Sequence, residues 1–276
     1  MSSLRIDGRT NTQLRPITVN YDVYGYSDAS VLLCLGNTKV MTAVTLQMGV
    51  PPFLKGQRTG WLTAEYAMLP HATHQRTMRD GMQPQRNGRN VEISRIISRC
   101  LRQVVDYASI GERTIIIDCD ILQADGSTRV ACITAASIAL ELACSRWLEA
   151  KLIDKNIFKE RIAAVSLGVI DGITCTDLAY IEDSQADVDF NIVLTASDTI
   201  IEILGSSEKN AISWNKFDEI KEQAVTGIKE IFKTCAQFPF PKGLNPMQQT
   251  LGPKTANNQQ GRPALFSLGN RIGKAS

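Results

Sequence analysis

The feature that most constrains this chain is the stretch from Thr128 to about residue 150, which is apolar on most sides when wound as a helix. A helix with no polar face cannot lie on a surface, so it must be enclosed by other elements. β-rich runs at residues 114–122 and 163–170 flank it on both sides. The predicted order is strands, helix, strand, helix, strands, helix. That order suits an α+β (mixed α/β) single domain and not a regular βαβ repeat.

Local patterns fill in the other elements. Gly36-Asn37 separates β-like runs at 31–35 and 38–47, and Asp171-Gly172 separates runs at 163–170 and 173–180. Such dipeptides are hairpin turn pairs because they accept positive φ. Residues 190–194 and 199–204 form another pair around Ala196-Ser197-Asp198. Ile93, Ile96, Ile97, Cys100, Leu101, Val104 and Val105 follow helical spacing over 92–106, and Phe217, Ile220, Ala224, Ile228 and Ile231 do so later. From Pro51 to about Asn87 little periodicity is visible, and a long loop is expected.

Composition narrows the function classes. No run of about 18 apolar residues is counted, so no membrane span is expected. The polar start argues against a secretory leader, which makes the cytoplasm the default. The seven cysteines include no C-x-x-C pair and read as small buried hydrophobes. The two histidines, His71 and His74, have no third ligand at motif spacing; they read as a loop feature, with a metal pair as the alternative. Residues 1–235 are read as one domain and 236–276 as a basic Pro/Gln/Asn-rich tail. That tail holds five basic residues, no acidic ones and five of the ten prolines. It fits a disordered extension or an RNA-holding arm.

Three segments carry chemistry. Residues 118–129 read as strand, glycine turn and helix start, with Ser127, Thr128 and Arg129 following Gly126. Unpaired N–H groups, hydroxyls and a guanidinium there suit phosphate, although this segment alone favours plain N-capping by Ser127 or Thr128 with Arg129 in a surface salt bridge. Asn87-Gly88-Arg89-Asn90 sets a second arginine beside glycine at a helix start, so two termini could share one anion. Around it Arg76, Arg79, Arg86, Arg89, Arg95, Arg99 and Arg102 occur with no lysine between. They suit RNA backbone contacts, or else structural salt bridges and a subunit interface, to which Arg95, Arg99 and Arg102 are best fitted. Asp183, Asp187 and Asp189 suit a hard cation, or else an acidic loop facing solvent. Anion cradles beside carboxylates suggest phosphoryl transfer.

At this point the chain resembles the ribonuclease PH family over nearly all of residues 4–235. The resemblance is carried by Asp7-Gly8-Arg9, Leu14-Arg15-Pro16, Gly36-Asn37-Thr38-Lys39-Val40, Pro52-Phe53-Leu54-Lys55-Gly56, residues 60–70, residues 118–129, Glu182-Asp183-Ser184 and Asp189-Phe190-Asn191. It lies closer to the bacterial type than to exosome ring subunits. The resemblance implies a β-α-β-α fold, a homo-hexamer built as a trimer of dimers, and phosphorolytic 3′→5′ trimming of tRNA precursors with release of nucleoside diphosphates. It implies phosphate binding by Arg89, Ser127, Thr128 and Arg129, RNA contact by Arg76 and Arg79, and Mg²⁺ or Mn²⁺ with catalytic function at Asp183 and Asp189. Inorganic phosphate would be the co-substrate.

Departures from the family pattern are Ser127 for glycine, Asn90 for Thr or Ser, His71 for Arg, Leu204 for Gln, the loop Met82-Gln83-Pro84-Gln85, and the tail. No predicted catalytic group is lost. Two rivals remain at this stage: a non-catalytic RNA-binding ring subunit, and a hydrolytic metal nuclease.

Overall fold

The computed structural model describes residues 5–79, 82 and 87–243. A five-stranded sheet holds β1 (Ile17–Tyr21), β2 (Ala29–Leu35), β3 (Thr38–Met48), β4 (Trp61–Met68) and β5 (Arg113–Gln123) in the order β1-β2-β3-β5-β4. A four-stranded antiparallel sheet holds β6 (Ile162–Ile170), β7 (Ile173–Thr176), β8 (Val188–Thr195) and β9 (Ile200–Ser207) in the order β7-β6-β8-β9. The helices are α1 (Gly88–Gln103), α2 (Thr128–Glu149), the short α3 (Tyr180–Asp183) and α4 (Trp214–Cys235).

Helix α2 lies between the two sheets, against β2 and β3 on one side and β6 on the other, while α4 covers the far side of β6. This gives sheet, helix, sheet and helix in layers, the mixed α+β order expected. Strand β6, Ile-Ala-Ala-Val-Ser-Leu-Gly-Val-Ile, is buried at every position but the last because helices cover both faces. The most apolar window of α2 reaches a mean hydropathy of 1.3, long and apolar enough to cross a membrane by composition, yet 83% of it is buried inside the protein. The sequence count missed this window because polar residues interrupt it.

The structure corrects several boundaries. The expected loop contains β4, which runs parallel to β5 with α1 as the crossover. Its buried Leu62, Ala64 and Tyr66 alternate at period two, a signal shortened by flanking glycine and proline. Helix α1 begins at Gly88, not Glu92, because the Asn87 side chain caps the Arg89 N–H at 3.0 Å. Its apolar periodicity runs past its end. Val104 and Val105 are core residues outside the helix, and Val105 bridges Phe158. Strand β7 stops at Thr176 because Asp177 turns left-handed at φ 58°. Asp171 and Gly172 make the expected positive-φ turn, at 49° and 78°.

Helix α4 ends at Cys235, and residues 236–243 continue along the body. The Phe238 carbonyl accepts from the Tyr21 hydroxyl at 2.8 Å, and the Phe240 and Tyr21 rings meet edge to face. The rest of the tail, Arg86 and most of the 82–85 loop lie outside the described residues. Of the seven cysteines, all free, six are buried and Cys34 is half-buried.

Candidate active site

Two helix starts and one short helix build the site. At the first, the Asn87 cap sets Arg89 in the first turn of α1, with its side chain exposed. At the second, β5 ends and the chain turns through Gly126 at φ 75° and Ser127 at φ 57° into α2. Glycine is required at 126: a Cβ there would lie 2.5 Å from the Leu178 carbonyl oxygen. Among the described residues no side chain caps α2 at Ser127, so the N-cap reading fails and the first-turn N–H groups lack a capping oxygen.

The Ser127 hydroxyl is engaged by the protein itself. It lies 2.6 Å from Ser166 Oγ and donates to the Leu178 carbonyl at 2.9 Å and to Asp177 Oδ1 at 3.3 Å. Contrary to expectation, it is not a free donor for an anion, and only the backbone N–H of Ser127 remains for that role. Thr128 Oγ1 accepts from the Tyr66 hydroxyl at 3.1 Å, which leaves its own proton to donate.

The remaining predicted groups converge. Arg129 follows in the first turn of α2, and among the described residues its buried Nε has no hydrogen-bond partner. The Asp183 carboxyl, on α3, is raised by burial, lowered by the Arg89 and Arg129 guanidiniums, and raised again by Glu208. Asp189, on β8, is raised by burial and then by Asp183, and lowered by Arg129. Arg89, Arg129, Asp183 and Asp189 thus share one electrostatic neighbourhood. Asn191, two residues along the strand and on the same face, donates to both Asp189 oxygens at 3.3 Å. Asp187 instead pairs with Lys209 at 3.4 Å.

Sequence reasoning missed Tyr66 and Glu208. Tyr66 stood inside a quoted motif without a role, and Glu208 is a lone acid past β9 that only sheet pairing brings to Asp183. The arginines divide. Arg99 makes a fork to Glu202 at 2.8 and 2.7 Å. Arg102 donates to the Leu62 carbonyl and stacks on Trp61 at 3.9 Å. Both are structural, as their alternative reading held. Arg76 and Arg79 are exposed, on a loop brought beside α3 by the His74 and Tyr180 rings, 5.9 Å apart.

No group of three or more His, Cys, Asp or Glu stands in metal-holding geometry among the described residues. The pair Asp183 and Asp189 still fits Mg²⁺, which takes one or two carboxylates and completes its shell with water and phosphate oxygens. Two partly desolvated carboxylates, of which Asp183 raises the proton affinity of Asp189, are a site that a cation relieves.

Comparison with known proteins gives the family and the fold. Residues 13–145 match the 3′ exoribonuclease family, domain 1, and residues 160–227 match domain 2 of the same family. Ribonuclease PH of Syntrophomonas wolfei is 45% identical over 227 residues, 82% of this chain and 95% of that protein. Ribonuclease PH of Bacillus cereus is 43% identical over 230 residues, 83% of this chain and 94% of that protein. Among solved structures, an Archaeoglobus fulgidus exosome with RNA bound to the active site superposes with TM-score 0.70 at 20% identity, covering 83% of this chain and 92% of that one. Rice Rrp46 superposes with TM-score 0.68 at 18% identity, covering 83% and 97%. These last two likenesses concern the fold.

Proposed function

This chain belongs to the ribonuclease PH type of the 3′ exoribonuclease family, and on that premise we propose that it removes nucleotides from RNA 3′ ends by phosphorolysis at the Arg89–Arg129–Asp183–Asp189 site. The observation that carries the site assignment is the buried Arg129 Nε, without a partner among the described residues, at a helix start that none of their side chains caps, beside two carboxylates. A buried donor without a partner costs about 1–3 kcal/mol, and an oxyanion relieves that cost.

In this reading inorganic phosphate is gripped between Arg89 and the N–H groups of residues 127–129, with the Thr128 hydroxyl and the Arg129 fork completing the cradle. The grip orients one phosphate oxygen in line with the last phosphodiester of the RNA, and the leaving group departs as the shortened 3′-hydroxyl end. The product is a nucleoside diphosphate. Asp183 and Asp189 would hold a divalent ion, Mg²⁺ or Mn²⁺, which would supply charge neutralisation for phosphoryl transfer. Asn191 fixes Asp189, and Arg76 and Arg79 guide the RNA backbone. No histidine nucleophile or base is needed, since positioning and charge neutralisation carry phosphoryl transfer.

We further propose tRNA precursors as substrate, a homo-hexameric ring built as a trimer of dimers, and a cytoplasmic setting. The exosome superpositions support the fold on which this assembly is proposed. The test is a product assay on a CCA-extended tRNA precursor with and without phosphate. Diphosphates released only with phosphate support the reading. Monophosphates released without it mean a hydrolytic nuclease, and RNA binding without release means a scaffold.

A further inference from the structure

Asp7-Gly8-Arg9 and Leu14-Arg15-Pro16 carry family resemblance, yet none of the chemistry above uses them. The structure shows what they grip. Arg5, Arg9 and Arg15 are 8%, 7% and 5% exposed, and their acidic partners Asp177 and Glu182 are 1% and 6% exposed. Arg5 Nε donates to Glu182 Oε1 at 2.6 Å and Arg5 Nη2 to Glu182 Oε2, while the same guanidinium reaches the carbonyls of Thr176 at 2.6 Å and Asp177 at 2.9 Å. Arg9 donates to the Asp177 carbonyl at 3.0 Å. Arg15 takes both Asp177 oxygens, at 3.0 and 2.6 Å, and its other arm reaches the Asp125 carbonyl.

These bonds close on the cradle from behind. Asp177 Oδ1 also accepts from the Ser127 hydroxyl at 3.3 Å, and Asp125 Oδ1 accepts from the Tyr180 N–H at 3.3 Å. Glu182 accepts from the Ala179 N–H at 2.9 Å, which locks the start of α3. The adjacent residue on α3 is Asp183, within electrostatic reach of Arg89 and Arg129. The loop 177–182 is therefore fastened on one side to the N-terminal arginines and on the other to the Asp125–Ser127 turn. Apolar packing would hold this loop equally firmly; charged forks add fixed direction.

We propose that Arg5, Arg9 and Arg15 form a positioning clamp that, through Asp177 and Glu182, sets the Asp183 carboxylate against the Gly126–Arg129 helix start. None of the clamp residues touches substrate. The clamp rests on the phosphorolytic reading of the site and adds the requirement that its two halves be held in register.

The test compares full-length wild type with Glu182→Gln, Arg5→Lys and Arg129→Ala. Four quantities are measured: the thermal melt, inorganic phosphate binding by calorimetry, Mn²⁺ binding by electron paramagnetic resonance without RNA, and phosphorolysis resolved into kcat and KM for phosphate. In Glu182→Gln the cradle on α1 and α2 is intact, so phosphate affinity stays within about threefold. Displacing Asp183 weakens Mn²⁺ binding about tenfold and lowers kcat about tenfold or more. Arg5→Lys, which keeps the charge and loses the fork, shows the same split at smaller size. Folded variants with kcat and Mn²⁺ affinity within about twofold of wild type overturn the clamp, as does a parallel loss of phosphate binding and kcat. Should Glu182→Gln not fold, Arg5→Lys decides by the same split. Full phosphorolysis by Arg129→Ala would instead overturn the reading of the site on which the clamp rests.

Discussion

The Tyr66 hydroxyl donates to Thr128 Oγ1 at 3.1 Å, tying β4 to the first turn of α2. Tyr66 is 4% exposed, and burial pushes its phenol well above the ordinary range, so it remains a donor at every working pH. Tyr66→Phe keeps the ring and removes the bond. It should cost about 0.5–1.5 kcal/mol in stability and raise KM for phosphate by a similar free energy, with kcat nearly unchanged. Thermal denaturation and phosphate-dependent kinetics check this. An unchanged KM would mean that Thr128 needs no help from β4.

Arg129→Ala and Arg89→Ala should each lower kcat/KM for phosphorolysis by ~100-fold or more, because each removes a charge contact to the attacking anion. The Arg129 loss should be the larger, since its Nε is buried while the Arg89 side chain is exposed. Initial rates at low phosphate measure both. Wild-type rates in the two variants would refute the site.

The turn at residues 126–127 predicts opposite results from neighbouring substitutions. Gly126→Ala forces a Cβ against the Leu178 carbonyl at positive φ and should destabilise by about 3 kcal/mol or more. Ser127→Gly relieves a left-handed serine, worth about 1–2 kcal/mol, and gives up hydrogen bonds of similar size to Leu178 and Ser166. Its stability should stay within about 1 kcal/mol of wild type by urea unfolding. A large loss there would show that the Ser166 bridge outweighs the backbone strain.

Asp118 gives a pH-dependent result. Its carboxyl is pushed up to about 6, by burial first and then by Glu65 and Asp120. The folded state therefore holds this proton more tightly than the unfolded chain, whose ordinary value is 3.8. The contribution of Asp118 is most favourable below about pH 4 and declines as pH rises to about 6. Asp118→Asn should gain about 1 kcal/mol above that window, a value discounted for the solvent reaching the group, and nothing below it. Melting curves at about pH 4 and pH 7.5 test this. The same shift in Tm at both would rule out a titration effect.

Much of the fold was legible because the information is local. Asp171-Gly172 and Gly36-Asn37 specify hairpins by their tolerance of positive φ, and the all-apolar face of α2 demands a layer on each side. Strand β4 was not legible, because its alternation is short and its partner β5 lies more than forty residues away through a parallel crossover. The end of β7 was set by Asp177, whose left-handed turn is held by Arg15 from the other end of the chain.

The site divides along the same line. Sequence alone determined the chemical inventory: arginines beside glycines at two helix starts, and aspartates spaced for a hard cation. These follow from residue type and from spacing along one segment. Tertiary structure decided the rest. It engaged the Ser127 hydroxyl with Ser166, supplied Tyr66 to Thr128, removed Arg99 and Arg102 to structural tasks, and brought Glu208 to Asp183. Each joins segments far apart in the chain. Which donor meets which acceptor there depends on how the layers pack around α2, and no local pattern encodes that.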